Sequence, residues 1–186
     1  MNKSIKFGAF LFVLLAVLGA LLVLVNTITA PIIEERRLEE IKKTIKEVVP
    51  TIDGITDETE NVKNKPAGIT NIYLSTDKKV VIYVAQTTGY KNGLITTIVA
   101  FDVNTKNLVN AKVTEAVDQT SGIGDQIRTY EFKYAGKAAS VFANLVVQDV
   151  KNTEKDYIIS GATVSSKAVL TGVHIASKNF LEVYGG

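Results

Sequence analysis

The sequence predicts an α+β fold: a single N-terminal helix able to cross a membrane, followed by one mixed domain with antiparallel-type strands and a C-terminal helix. Three observations carry this. Residues 7–25 form an unbroken apolar run, four β-like runs follow one another across short turns, and the last stretch repeats its apolar residues at helical spacing.

The totals bound the function before any motif is read. A chain of 186 residues holds one anchor and one domain with a respectable core. Its formal net charge of +2 includes no basic stripe of the kind that tracks a phosphate backbone, so nucleic acid is not an expected partner. There is no cysteine, which excludes disulfides, thiolate catalysis and iron–sulfur ligation. A single histidine, His174, and no compact cluster of His with carboxylates argue against a metal centre.

At about 1.5 Å per residue, the apolar run matches a bilayer's hydrocarbon thickness. It is longer than the core of a cleaved signal peptide, although Lys3 and Lys6 make a positive start. Charge leaves the orientation open, because those two lysines face Arg36, Arg37, Lys42 and Lys43 across the run. Pro31 suits a first helical position, and Ile32, Ile33, Leu38, Ile41, Ile45, Val48 and Val49 then recur near helical spacing, with Glu34 among the polar residues between them. Pro50 is expected to end that helix. The division is therefore residues 1–30 as tail and anchor, 31–50 as an amphipathic connecting helix, and 51–186 as the folded domain.

Residues 53–66 are polar with little periodicity and are read as a loop. Residues 69–74, 80–87, 94–101 and 108–113 are rich in branched and aromatic side chains and read as strands. Their short spacers favour antiparallel neighbours. A further apolar run, 145–150, precedes the strand-like 156–159, and a helix is expected over about 165–183, with Val169, Val173, Ala176 and Phe180 on one face.

Ser160-Gly161-Ala162-Thr163-Val164-Ser165-Ser166 sits just before that helix. Glycine permits a sharp turn, and Thr163 or Ser165 can cap the first amides. The same amides and the helix dipole would also favour a phosphate. Local physics thus leaves two readings open, a simple cap or an anion seat.

Asp156 followed by Ser160-Gly161-Ala162-Thr163 resembles the attachment signal of the FMN-binding domain family shared by the RnfG and NqrC subunits of ion-translocating electron-transfer complexes. Two more stretches are similar to that family. One is Gly89-Tyr90-Lys91-Asn92-Gly93, with the strand after it and Asp102. The other is residues 119–127, which look like the family's Glu-Thr-Pro-Gly-Leu-Gly loop but carry Gln119 and Ser121 for its Glu and Pro. The compact length fits RnfG better than NqrC.

The resemblance implies one FMN joined through its phosphate to Thr163 by a flavin transferase. It further implies cofactor contacts from Ser160, Gly161, Ala162 and Ser166 in the turn, Thr120, Gly122, Ile123 and Gly124 in the loop, and Tyr90 and Lys167. Arg128 is a second cation, and Tyr130 and Tyr134 are further aromatics, that could serve the flavin. No metal site or catalytic residue is implied. The implied setting is an Rnf-type ferredoxin:NAD oxidoreductase in the cell membrane, with the N-terminus cytoplasmic and the FMN domain extracytoplasmic. Its other membrane subunits would include a second covalent-FMN subunit and iron–sulfur subunits. The rivals are a stand-alone flavin-bearing electron shuttle, an NqrC-like subunit of a sodium-pumping quinone reductase, and an anchored binding module whose turn is only a cap.

Overall fold

The computed structural model describes residues 3–185, without the side chains of residues 3–6, 9, 34, 37 and 38. Lys3, Lys6, Glu34, Arg37 and Leu38, used above for charge and periodicity, therefore have side chains outside the described set. The chain forms two compact units, residues 1–40 and 41–186.

The first unit is helical throughout its described residues and belongs to α1, Lys3–Val48. Within it, Phe10–Ile33 has a mean hydropathy of 2.8 with none of its residues buried, and by length and composition it is long and apolar enough to cross a membrane. The Thr27 and Thr29 hydroxyls donate to the carbonyls of Val23 and Val25, 2.8 Å each, so they leave no loose donor on an apolar helix. Pro31 does not start a new helix as expected; it lies inside α1. Its missing N–H removes one helical hydrogen bond, and the helix formers after it carry the turn onward.

The second unit begins earlier than residue 51. The last turns of α1 bury Ile41, Ile45 and Val48, with Val49, against Tyr73, Ile82, Val84, Ile98 and Ala100. Ile32 and Ile33 stay exposed, so the apolar face used for packing starts at Ile41. Lys112 bonds to Glu47 near the end of α1, and that hydrogen bond, with the ammonium's charge, holds the Glu47 carboxyl below its usual range.

Five strands make one antiparallel meander in the order β1 (Ile55–Asp57), β2 (Ile69–Ser75), β3 (Val80–Thr88), β4 (Leu94–Asp102) and β5 (Leu108–Ala116). The four expected strands are present, each one to three residues longer than read. The expected loop over 53–66 is corrected in one place: residues 55–57 pair with β2, from Ile55 opposite Ser75 to Asp57 opposite Tyr73. Three residues supply too short an alternation to be read as a strand.

Alternation across the pleat sends Val81, Tyr83 and Ala85 to one face and Ile82 and Val84 to the other. Both faces are covered, the second by the end of α1 and the first by α2 (Ala139–Ala143) and α3 (Thr163–Tyr184). Coverage on both sides explains why β3 and β4 read as continuous apolar runs. Gly172 lets α3 approach closely, since a Cβ there would lie 3.2 Å from that of Ala85.

Two further expectations are corrected. Residues 145–150 contain a single helical turn, Val147–Asp149, and residues 156–159 form no strand. Ile158 and Ile159 are buried under α3 without a sheet partner.

Candidate functional site

The turn before α3 is built from the backbone outward. Gly161 has φ +83, where a side chain would be strained, and the N–H of Ala162 donates to the Ile159 carbonyl at 3.0 Å. The Ser166 Oγ, fully buried, accepts the N–H of Ile159 at 3.1 Å and ties the helix's first turn back to the segment entering it. Removing that oxygen leaves a buried N–H unpaired. Ser166→Ala is therefore expected to destabilise the domain by about 1–3 kcal/mol, measured by urea unfolding.

Thr163 is the first residue of α3 and is half-buried. The expected cap is corrected here. Ala162 occupies the N-cap position with no side-chain hydrogen bond, so neither Thr163 nor Ser165 caps the helix. Their hydroxyls fall inside the first turn, one residue or more too late to bond back onto it. The opening amides of α3 thus keep their donors for another partner. Among the described residues the Thr163 hydroxyl itself has no hydrogen-bond partner.

Residues 119–126 stand against this turn. The Thr120 carbonyl accepts the N–H groups of Ile123, Gly124 and Asp125 at 3.1, 2.8 and 3.3 Å. Gly122 has φ +74. A Cβ at Gly124 would lie 3.1 Å from the Ser165 Oγ, and one at Gly161 would lie 3.7 Å from the Ile123 Cγ2. Loop and turn are therefore immediate neighbours. The hairpin 89–93 joins them through Gln119, whose carboxamide bonds to Tyr90 and to Ser165.

All three stretches quoted for the resemblance thus meet in one place. Ser160, Gly161, Ala162, Thr163 and Ser166 share the turn, Thr120, Gly122, Ile123 and Gly124 share the loop, and Tyr90 lies in the hairpin. Ile123 is 47% exposed, Val164 54% and Tyr90 41%, so each stretch presents an uncovered apolar side chain. The Lys167 ammonium donates to the Gln148 carbonyl at 2.7 Å, and Arg128 lines an open groove with Thr44, Lys112, Thr114, Gly122 and Gln126. Tyr134 is a core residue, stacked on Phe132 at 5.1 Å, and burial pushes its hydroxyl's pKa up. Tyr130 is tied to the Lys155 carbonyl at 2.6 Å. His174 packs with Nδ1 2.8 Å from the Phe142 carbonyl.

Two features escaped the sequence reading. Asp156 is held by Lys133 at 3.3 Å and Lys137 at 3.7 Å, which fixes the start of the segment leading to the turn. Gln119, singled out only as a departure from the family's pattern, proves to be the junction of hairpin, loop and helix.

Residues 89–178 match the family model of the FMN-binding domain. The chain is 28% identical to the G subunit of the Na(+)-translocating ferredoxin:NAD(+) oxidoreductase complex of Acetobacterium woodii, over 92% of this chain and 88% of the relative. It is also 28% identical to the G subunit of the proton-translocating ferredoxin:NAD(+) oxidoreductase complex of Clostridium ljungdahlii, over 90% of this chain and 86% of the relative. No solved structure matches. The matched residues begin at the hairpin and run through the loop, the turn and most of α3, so the chain is RnfG-like in its similarity to these G subunits, and the stretch that resembles the FMN-binding domain covers the place where those segments meet.

Proposed function

We propose that the chain is the electron-transfer subunit of an Rnf-type, ion-translocating ferredoxin:NAD oxidoreductase, and that it carries FMN as a phosphoester on Thr163. The observation that carries the attachment site is the Thr163 hydroxyl, unpartnered among the described residues, on the first residue of an uncapped helix. The residues fit the group in three respects. A phosphodiester keeps one negative charge, which suits the open amides and the positive end of the α3 dipole. Gly161 and Gly124 keep the turn free of side chains, with Ser160 and Ala162 flanking it and Ser166 holding its base. Ile123, Val164 and Tyr90 supply exposed apolar surface for a flat ring.

Bound FMN supplies reversible uptake of one or two electrons. This chain's residues hold and orient it. On attachment, the Thr163 Oγ1 would form a bond to the FMN phosphorus of FAD, the pyrophosphate bond would break, AMP would leave and the hydroxyl proton would be lost. A flavin transferase would catalyse that step. Lys167 spends one of its three donors on the Gln148 carbonyl and keeps two for an anion at the start of α3, and Thr120 and Gly122 act by shaping the loop.

On this reading residues 1–30 anchor the chain in the cell membrane, 31–50 connect, and 51–186 hold the flavin on the extracytoplasmic side. One span cannot itself conduct an ion, so the subunit would dock on membrane partners, among them a second covalent-FMN subunit and iron–sulfur subunits. Intact mass and peptide mapping of the full chain test the cofactor and its linkage together. The expected result is a gain equal to FMN less water on the peptide containing Thr163; an unmodified mass refutes covalent attachment. Orientation has its own test. The chain lacks cysteine, and Lys63 is exposed in a turn. Lys63→Cys is expected to react with an impermeant thiol reagent in whole cells, and protection would reverse the topology.

A further inference from the structure

Gln119 uses its whole hydrogen-bonding capacity on three different segments. Its Oε1 accepts the Ser165 hydroxyl at 2.7 Å and the Tyr90 N–H at 3.3 Å. Its Nε2 donates to the Val117 carbonyl at 2.8 Å and to the Tyr90 carbonyl at 3.4 Å. A carboxamide offers two donors and two acceptor sites, and all four are engaged. The assignment of nitrogen and oxygen follows from the partners, because the flipped amide would set its NH2 against the Tyr90 N–H and its oxygen against two carbonyls.

The partners identify what the residue joins. Tyr90 belongs to the hairpin turn whose ends Gly89 and Gly93 pair at 2.8 Å. Val117 follows β5 and bonds to the Leu94 carbonyl at 2.8 Å. Ser165 lies two residues after Thr163 on α3. The neighbouring glycines leave room for this side chain: a Cβ at Gly89 would come within 3.1 Å of the Gln119 Oε1, one at Gly93 within 2.7 Å of its Nε2, and one at Gly124 within 3.3 Å of its Cβ. A Cβ at Gly89 would also meet the Ile95 Cδ1 at 2.5 Å and one at Gly93 the Val117 carbonyl oxygen at 2.0 Å, so these glycines serve the close packing of the whole junction, the Gln119 side chain included.

We propose that Gln119 is the positioning residue of the flavin site: its neutral carboxamide clamps the hairpin 89–93, the end of β5 and the first turn of α3, and so fixes where Tyr90 stands relative to Thr163, the residue that would hold the FMN phosphate. The proposal rests on the FMN reading for the ring and on geometry alone for the clamp. Among the partners that this chain sets around residue 119, the glutamate of the family's pattern would fit less well than the amide. Glutamate would keep the two acceptor contacts but would turn an anionic oxygen toward the Val117 and Tyr90 carbonyls, and only its protonated form restores one donor. The charged groups on the surrounding elements are Lys91 in the hairpin, Asp118, Asp125 and Arg128 in and after the loop, Lys112 and Glu115 on β5 and Lys167 near the start of α3. Lys167 is bonded to Gln148, and Asp118 is the neighbour of residue 119 in the chain, a like charge that favours the protonated form further.

The sign of the pH effect follows. A glutamate at 119 would have its folded pKa raised above the unfolded value near 4.3, so its stability contribution is present at acid pH and lost as pH rises through the folded pKa. In the detergent-solubilised full chain, Gln119→Glu is expected to unfold close to wild type at about pH 5 and several degrees below it at about pH 8, a gap of about 3–8 °C. Gln119→Leu, which cannot titrate, should lose a similar amount at both pH values. Flavin-loaded Gln119→Glu should show a midpoint potential and visible spectrum that shift away from wild type over the same pH range.

Equal melting of Gln119→Glu and wild type at both pH values would overturn the clamp. A pH-dependent melting gap with an unchanged flavin potential and spectrum would overturn the positioning role, leaving a purely structural bond. The melting experiment reads the same way on protein without flavin, so absence of FMN from the wild type would refute the cofactor reading while still testing the clamp.

Discussion

Thr163→Ala is expected to abolish covalent flavin completely while leaving the fold and its stability within about 0.5 kcal/mol of wild type. Both halves follow from the position of the residue. The hydroxyl is the only atom that the reading needs for the bond to phosphorus, and no other group of the turn offers the same place: Ser160 is outside the helix, Ser165 donates to Gln119, and Ser166 is buried beneath Ile159. Since the hydroxyl makes no cap bond, its removal takes nothing from the helix. Intact mass checks the first half and urea unfolding the second. Retention of the FMN mass on the alanine variant would move the site, whereas a large stability loss would mean that Thr163 carries a contact this structure lacks.

The largest loss of stability should come from the other end of the same helix. Phe180 is fully buried and stacks on Phe101 with ring centroids 4.6 Å apart, and Phe101 in turn meets the Tyr83 ring edge-on at 5.8 Å. This aromatic column fastens the C-terminal half of α3 to the centre of the sheet. Phe180→Ala removes a ring that the surrounding strands cannot collapse to replace, and about 3–5 kcal/mol of stability should go with it. Thermal and urea unfolding measure the loss. At about 1.5 Å per residue, Phe180 lies about 25 Å along α3 from Thr163, so the folded variant should still accept flavin. Full loss of flavin from a variant that remains folded at low temperature would show that the helix's start depends on its end.

How much of this could be read from the sequence depends on how local each feature is. The four long strands were legible because alternation and branched residues are properties of neighbouring positions, and the turn 160–166 was legible because glycine and clustered hydroxyls mark a chain reversal by themselves. The strand β1 was not, because three residues carry no period. Residues 157–159 have strand-like composition and become a buried connection, since burial favours the same side chains whether or not a sheet partner exists. Pro31 looked like a boundary because its local effect is to remove one hydrogen bond, and the remaining turns of α1 outweigh it.

At the site the same division holds. The family's three stretches could be recognised one at a time, with Thr163 as the residue to watch. Their meeting point could not, because Gln119 finds its partners 29 and 46 residues away in the chain. What the sequence alone determined is an apolar segment of bilayer length, an α+β domain, and a glycine-shaped, hydroxyl-rich turn before its last helix. The tertiary structure decided that α3 begins at Thr163, which leaves its hydroxyl unused, and that Tyr134 belongs to the core. It also decided that one carboxamide joins hairpin, loop and helix. Periodicity and turn chemistry act between near neighbours, while burial and hydrogen-bond partnership depend on which distant segments the folded chain brings together.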